Sequence, residues 1–334
     1  MESVNGLTIV DADEVDHNAW SDFVWQHTDG NIFQTPLMYK VYSHTPGYKP
    51  VFFALQKGKK IKGVLLGVII SPVVKLGWIT SYSMVTGGPL VEDADLEFAE
   101  ILLDVYSRAI RGKVLFSQFR NLSDMGWLHK SFSVRKYEGE PHLNYLVNLK
   151  QELSDIWGGF SPTCKNKINK ATKSGLEIRS FSSEEEIESA YYILSEVYGR
   201  IKYPLVHKRL FLEAMTQLNG SENVQFMGAY LEGKMIAMRM LLVYKDIWYD
   251  WYAGSFRKYT SYAPNEMLTW HIMKRAKECG AEVFDFGGAG NPNIPYGVRD
   301  YKRKFGGEKV DFGRYERVYH PKLFGVLKKV MQRF

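Results

Sequence analysis

The sequence predicts two successive lobes of mixed α-helices and β-strands, a fold of the α/β or α+β class. Its 334 residues suit two domains of ordinary size. Segments 52–61 and 227–236 share an alanine, a Gly-Lys pair that begins four residues later and an isoleucine two residues after that lysine. Each segment is typical of a β-hairpin with a glycine turn, so the pair indicates an internal repeat.

The elements predicted around the two hairpins occur in the same order. After the first hairpin we expect a strand at 76–80, a helix at 94–110 and a strand at 113–119. After the second we expect an aromatic strand at 246–253, a helix at 264–279 and a strand at 282–286. Helices at 182–198 and 207–218 precede the second hairpin, and Ser182 with Glu185 resembles a capping box.

The join between the lobes is predicted near 149–161, where glycines and a proline follow a polar helix start. The first lobe would comprise 1–150 with about 312–334, and the second 151–311. Segment 321–334 predicts a helix with one apolar face, which we expect to pack on the first lobe. Its other side is basic, so peripheral contact with the inner face of the cell membrane is the alternative.

The composition is that of an ordinary globular protein, with 45% hydrophobic and 24% charged residues. Two cysteines, Cys164 and Cys279, are too few for a disulfide framework or a four-thiolate zinc site. The longest apolar run, 64–74, is too short to cross a bilayer, and residues 1–16 lack the apolar core of a signal peptide. We therefore expect a cytoplasmic protein and a monomer.

The net charge of +6 is unevenly distributed. Segments 161–175, 299–309 and 320–334 carry +4, +3 and +4, which leaves −5 for the rest of the chain. Three basic patches on an otherwise slightly acidic molecule suit partners that bear phosphate groups.

Familiar metal and nucleotide motifs are missing from the sequence. It contains no HExxH, no Walker loop and no nucleophile elbow, and the glycines at 287–290 lack dinucleotide-binding spacing. We therefore expect neither a metal nor a bound cofactor.

Two segments, one rich in lysine and one rich in aromatic residues, are candidates for substrate contact. Segment 161–175 has four lysines, including Lys165, and no acid. It suits phosphate contacts, with a solvated helix face as an equal alternative. Segment 248–255 alternates aromatic residues, including Tyr252. Such rings usually belong to a core. Rings on both faces of a strand are hard to bury together in a thin lobe, so one face is a candidate lining for a cleft.

Two further segments lie nearer the C-terminus. Asp285 stands within an apolar strand end, where a buried structural carboxylate and a site residue are equally plausible. Segment 301–307 interleaves aromatic residues and glycines with basic residues, which favours a site over a solvated basic loop. It contains Tyr301, Lys302 and Phe305.

The ordered set of motifs resembles the Fem family, the aminoacyltransferases that build peptidoglycan interpeptide bridges. The residues that carry the resemblance are Phe33-Gln34-Thr35-Pro36, Trp157, Lys165, Ala171, Gly175, Asn265-Glu266 with Trp270, Asp285-Phe286-Gly287-Gly288, and Tyr301-Lys302-x-x-Phe305-Gly306. The family signature usually reads Phe-Lys-x-x-Phe-Gly, so Tyr301 is a departure from it. The resemblance covers nearly the whole chain.

The resemblance implies two tandem GNAT-like lobes with mixed central sheets and a C-terminal helix that packs back on the first lobe. It also implies a reaction in which a stem-peptide amine attacks the ester carbonyl of an aminoacyl-tRNA. The expected partners are therefore aminoacyl-tRNA and a UDP-linked or lipid-linked muramyl-peptide precursor. No metal is needed, because the enzyme aligns the substrates and stabilises charge on the carbonyl oxygen.

The resemblance also assigns roles to individual residues. Lys302 would bind the acyl-donor end as the catalytic cation, and Tyr301 would shape the acyl channel. Arg200 and Tyr203 are candidates for precursor binding. The remaining candidate substrate-binding residues are Tyr252, Asp285, Lys165 and Phe305. A further precursor contact of the family has no clear counterpart here, because Tyr42 occupies the nearest position, with Lys40 close by.

Two other functions stay open from the sequence. One is an acyl-CoA-dependent N-acyltransferase of the GNAT type acting on an amino sugar or another cell-envelope substrate. The glycine-containing pyrophosphate loop of ordinary GNAT enzymes is missing from the corresponding segment, 255–262, which argues against this function. The other is a non-enzymatic binding partner of envelope-assembly enzymes, against which the retained Lys302 signature argues.

Overall fold

The computed structural model describes residues 2–4, 6–72, 74–218 and 222–325. The chain divides into a first unit, Met1–Pro141 with Phe312–Phe334, and a second unit, His142–Asp311. Each unit has its own mixed β-sheet. The predicted α/β fold class with two mixed sheets is therefore confirmed.

The strands of the first unit are β1 (Glu2–Val4), β2 (Leu7–Val10), β3 (Tyr48–Lys57), β4 (Lys60–Ile70), β5 (Tyr82–Thr86), β6 (Leu90–Val91), β7 (Phe116–Arg120), β8 (Glu138–Glu140) and β16 (Arg314–Val318). Its helices are α1 (His17–Gln26), α2 (Pro36–Ser43), α3 (Leu96–Ile110) and α4 (His129–Val134). The strand order is β1-β2-β3-β4-β5-β7-β16-β8, with β6 paired to β4, and only β5 and β7 pair in parallel among these strands.

The strands of the second unit are β9 (Leu143–Asn148), β10 (Glu177–Ser180), β11 (Val224–Leu231), β12 (Lys234–Tyr244), β13 (Ile247–Ser255), β14 (Val283–Gly288) and β15 (Glu308–Asp311). Its helices are α5 (Leu153–Gly158), α6 (Pro162–Thr172), α7 (Glu184–Arg200), α8 (Arg209–Leu218), α9 (Pro264–Glu278) and α10 (Gly297–Arg303). The strand order is β10-β11-β12-β13-β14-β9-β15, with a parallel pair at β13 and β14.

The internal repeat predicted from the two hairpins is present in the structure. β3–β4 and β11–β12 are both antiparallel hairpins, with a register shift after Leu55 in one and after Ala229 in the other. In each unit a helix, α3 or α9, then connects two parallel strands. Because a parallel pair requires such a crossover, the shared order of elements produces the same local architecture twice.

Three predicted details differ from the structure. No strand forms at 76–80, because 74–79 makes 3₁₀ turns around Gly77 at φ 55°, and the strand begins at Tyr82. The capping box uses Ser183 and Glu186, one residue later than predicted. The second unit begins at His142 rather than at 151, because β9 pairs with β14 and β15 of the second sheet.

The C-terminal segment is described only in part. Residues 321–325 are helical, and the Phe324 ring lies 5.2 Å from that of Phe116 on β7, measured between ring centres. Residues 326–334, which carry most of the predicted apolar face, lie outside the described residues. Among the residues that are described, no helix combines the length and the hydropathy needed to span a bilayer.

A buried glutamine joins two strands of the first sheet. The ladder between β4 and β5 ends at Gly67 and Val85, so the next residues, Leu66 and Thr86, no longer pair with each other. The Gln34 amide donates to the carbonyls of Leu66 at 2.9 Å and Thr86 at 2.8 Å, and its Oε1 accepts from the Leu66 N–H. This structural task accounts for the Gln34 motif without a substrate.

We expect Gln34→Leu to lower the free energy of unfolding by about 2–4 kcal/mol, because it leaves buried backbone groups without partners. Denaturant-induced unfolding measures the change. Gln26→Leu, the same substitution at an exposed residue of α1, is the control. Equal effects of the two substitutions would contradict the role given to Gln34.

Candidate active site

The sequence-predicted lysine lies in the interior of the second unit. Lys302, in α10, is only 8% exposed. Its Nζ donates to the carbonyl oxygens of Phe286, Gly287 and Gly288, the last two at 3.1 Å and 2.9 Å. Since an ammonium group carries three N–H donors, all of them are used at the end of β14.

These carbonyls are available because β13 and β14 stop pairing midway. Their ladder covers only Ile247–Tyr249 and Val283–Asp285, although both strands continue further. Gly287 has a φ of +69°, and a Cβ there would lie 3.3 Å from the Asp250 carbonyl oxygen. Glycine therefore allows the left-handed turn and the close approach that present three carbonyls to Lys302.

Burial shapes the charge state of this lysine. Loss of solvent lowers the pKa of Lys302 to about 8, against the opposing attraction of Asp250 and Asp285. Burial raises the pKa of Asp285, while hydrogen bonds to its Oδ1 from Asn144 Nδ2 at 2.7 Å and the Gly287 N–H at 2.6 Å act in the opposite direction. The site thus holds a lysine that loses its proton at a lower pH than an ordinary lysine does.

A buried ion pair lies beside the lysine. Arg239 on β12 donates to the carboxylate of Asp250 on β13, and both side chains are at most 5% exposed. Arg239 Nη2 also donates to the Tyr301 hydroxyl at 3.0 Å. That hydroxyl lies 2.8 Å from Thr269 Oγ1 and donates to the Asn265 carbonyl oxygen at 3.0 Å, so the network reaches α9.

A β-bulge makes this ion pair possible. Met240 pairs with Tyr252, but Leu241 pairs with Asp250, so Trp251 is the extra residue. Because successive side chains of a strand alternate between faces, a regular ladder would place Asp250 and Arg239 on opposite faces of the sheet. The bulge brings both onto the same face.

Three buried polar atoms in this region have no hydrogen-bond partner among the described residues. They are Arg239 Nε, Asp250 Oδ1 and Asn265 Oδ1. Buried polar groups are normally satisfied, so these atoms leave hydrogen-bonding capacity next to Lys302 and Tyr301 for water or a substrate group.

Comparison with known proteins finds similarity to acyltransferases. Residues 160–303 match the family model described as an acetyltransferase (GNAT) domain. The lipid II:glycine glycyltransferase of Staphylococcus haemolyticus is 25% identical over 219 residues, which cover 63% of this chain and 47% of that protein. The Staphylococcus epidermidis protein of the same name is 32% identical over 126 residues, or 36% of this chain and 28% of that protein. The chain thus aligns with less than half the length of these relatives.

Several solved structures superpose on almost the entire chain. The crystal structure of FemX superposes with a TM-score of 0.71 at 13% identity, covering 96% of this chain and 99% of FemX. A tandem GNAT protein from the clavulanic acid pathway gives a TM-score of 0.61 at 9% identity over 93% and 98% of the two chains. The chain therefore shares the fold of FemX. Its two units are tandem GNAT-like domains.

The fold brings some of the predicted site residues together. Tyr301, Lys302 and Asp285 lie in one buried cluster. Phe305 is 1% exposed and packs against Phe286 and Phe160, so it supports the cluster from the core.

The other predicted site residues have different surroundings. Tyr252 lies on the face of β13 opposite Asp250, where its ring contacts Phe211 of α8. Arg200 and Tyr203 are exposed at and just after the end of α7, and Lys165 Nζ donates to the Gly158 carbonyl oxygen at 2.9 Å. The substrate-binding roles of these four residues stay predictions.

Sequence reasoning missed Arg239, Asp250 as its partner, Asn144 and Thr269. A signal for Arg239 exists, because it is the only charged residue in the apolar run 235–243. A charge in such a strand requires a buried partner, but the run does not show which residue supplies it. No described group of three His, Cys, Asp or Glu side chains could hold a metal ion.

The lowered pKa of Lys302 gives a pH-dependent stability. The unfolded chain, with the ordinary lysine pKa of 10.5, binds more protons than the folded chain between about pH 8 and this value. The free energy of unfolding should therefore gain up to about 3 kcal/mol from Lys302 as the pH rises through this window.

We expect Lys302→Met to lose this gain, so its free energy of unfolding should rise less steeply than that of the wild type. Denaturant unfolding at a series of pH values from about 8 to about 10 measures both slopes. Lys309→Met, on exposed β15, should keep the wild-type slope. Parallel curves for the wild type and Lys302→Met would exclude a lowered lysine pKa.

Proposed function

We propose that this protein transfers an amino acid from aminoacyl-tRNA to the stem-peptide amine of a lipid-linked peptidoglycan precursor, and so forms an interpeptide bridge. The observation that carries the proposal is the buried Lys302 at the separation of β13 and β14. It lies within the span that matches an acyltransferase domain. The name lipid II:glycine glycyltransferase, carried by the relatives, supports a lipid-linked acceptor.

The proposed reaction is an acyl transfer without a metal or bound cofactor. The acceptor amine attacks the ester carbonyl carbon, forming a C–N bond and a tetrahedral oxyanion. Collapse of this intermediate breaks the C–O bond to the ribose, whose oxygen takes up the proton lost by the amine. The products are an amide and uncharged tRNA. Binding the two substrates in the correct orientation supplies much of the rate enhancement.

Lys302 would stabilise the developing oxyanion. Its three N–H groups are held by backbone carbonyls, so it would exchange one of these acceptors for the substrate oxygen during the reaction. The exchange is favourable in the transition state, because a charged acceptor forms a stronger hydrogen bond than a neutral carbonyl. Arg239, through the Tyr301 hydroxyl, would hold α10 and hence Lys302 in place.

An acyl-CoA-dependent acyltransferase is the competing function, since the matching domain model is described as an acetyltransferase. The start of α9 is poorly suited to pyrophosphate. Pro264 lacks an N–H group, and the carboxylate of Glu266 is buried in the first turn, paired with Lys167 at 2.7 Å. This carboxylate already occupies the region where a helix N-terminus favours an anion, so we favour aminoacyl-tRNA as the donor.

A lipid-linked acceptor would also place the protein at the inner membrane surface. Lys322, in the described part of the C-terminal segment, would then lie near anionic lipid headgroups.

We expect Lys302→Met to lower kcat/KM for aminoacyl transfer by at least about 100-fold, the usual cost of losing one oxyanion donor. Product formation is measured by mass spectrometry with lipid-linked and UDP-linked precursors as acceptors, and with charged tRNA or acetyl-CoA as donors. Lys309→Met should retain activity. Thermal unfolding of each variant checks folding, since the substitution leaves three carbonyls without their donor.

The outcomes separate the alternatives. Transfer from charged tRNA that depends on Lys302 supports the proposal. Transfer from acetyl-CoA alone would replace it by the acyl-CoA function. A folded Lys302→Met variant with full activity would overturn the catalytic assignment.

A further inference from the structure

A surface groove of about 350 Å³ runs between α6 and α9 of the second unit. Trp157 of α5 lines it together with Asn169 and Thr172 from α6. On the other side it is lined by Met267, Trp270, His271 and Lys274 of α9, whose i, i+3, i+4, i+7 spacing places them along one side of the helix. Its volume lies near the lower end of the range of about 300–1,000 Å³ for small-ligand pockets.

The groove presents aromatic surface. The ring centres of Trp157 and Trp270 are 5.4 Å apart with an angle of 44° between the rings. Both side chains are half-buried, because each packs one side against the hydrophobic core. The remaining ring surface faces the groove, and Lys274 Nζ lies 5.7 Å from the centre of the Trp270 ring.

The charge at the groove is positive. None of its lining residues is acidic. Along its edge α6 carries three lysines and no acid, and Lys173 follows directly. Lys167 pairs with Glu266 and Lys165 donates to a backbone carbonyl, whereas Lys170 and Lys173 are exposed. A ligand in the groove would contact the flat Trp270 ring and lie close to the Lys274 ammonium group.

We propose that this groove binds one nucleotide, with the base against the Trp270 ring and its phosphate near Lys274. Stacking on aromatic side chains combined with cationic contacts to the backbone is the common way in which proteins bind unpaired nucleotides. The exposed Asn169 amide offers both a donor and an acceptor to a base edge. The absence of acids from the lining argues against a cationic ligand.

Two sources supply this chemistry: an unpaired nucleotide of RNA and the nucleotide portion of CoA. The choice of RNA rests on the proposed function. The groove lies along α9, the helix whose Asn265 and Thr269 contact Tyr301 of the active site. A nucleotide held on the groove side of α9 would therefore anchor the acyl donor on the helix that borders the reaction centre.

The test measures binding of a fluorescent unpaired RNA tetranucleotide by anisotropy, with acetyl-CoA and N-acetylglucosamine as separate competitors. We expect Trp270→Leu to weaken RNA binding by about fivefold or more through loss of stacking. Lys274→Ala should lower the slope of log affinity against log salt by about 0.7, the value for one phosphate contact on a single strand. Lys234→Ala, at the exposed first residue of β12, is the matched control.

Asn169→Ala is included because Asn169 is exposed, so this variant stays informative even where Trp270→Leu fails to fold. We expect it to weaken RNA binding by about threefold or more, the equivalent of one hydrogen bond. Displacement of the RNA by acetyl-CoA, with the same sensitivity to the variants, would assign the groove to the nucleotide of CoA.

No nucleotide binding by the wild type, displacement by N-acetylglucosamine, or affinities unchanged in Lys274→Ala and Asn169→Ala would each overturn the inference. Product formation that depends on Lys302 is assayed separately. Transfer from charged tRNA with an unchanged KM in the groove variants rejects the groove and keeps the proposed function. Nucleotide binding that depends on the groove residues, without any amino-acid transfer, keeps the groove assignment and rejects the proposed function.

Discussion

The second unit depends on one buried contact, that of the Lys302 ammonium group with three successive carbonyls at the end of β14. The sheet separates there, and a separated sheet leaves backbone acceptors without partners inside the protein. A lysine can satisfy three acceptors at once, which no neutral side chain in the neighbourhood does. The cost is desolvation of a charge, seen as a pKa lowered to about 8. The same contact that completes the fold thus leaves an easily neutralised amine beside Asp285 and Asp250.

The first unit meets a similar requirement with a neutral group. Where the ladder between β4 and β5 ends, the Gln34 amide pairs with backbone groups on both strands. An amide supplies donors and an acceptor without a charge, so the junction is satisfied with no titratable group. The two units therefore repeat the same order of elements but satisfy the end of their strand ladders with different side chains.

Much of the architecture and part of the site were predictable from sequence. The hairpins, α3, α7, α8 and α9 follow from hydrophobic periodicity and glycine turns, which are local properties. The sequence motifs singled out Tyr301, Lys302 and Asp285, which lie close together in the structure, and their roles stay predictions. The strand expected at 76–80 was wrong, because a left-handed Gly77 and 3₁₀ turns override a short apolar pattern. Tyr252 lies on the face of β13 opposite Asp250, and its role in substrate binding stays a prediction.

By itself, the sequence determined that two similar α/β lobes follow one another and that a lysine signature closes the second. Both features depend on residues that are close together in the sequence. Only the tertiary structure decided that Arg239 and Asp250 form a buried pair beside Lys302. Their meeting depends on one bulged residue, Trp251, that reverses which side of β13 faces the cluster. A change of register of this kind depends on packing between strands, and no local pattern encodes it.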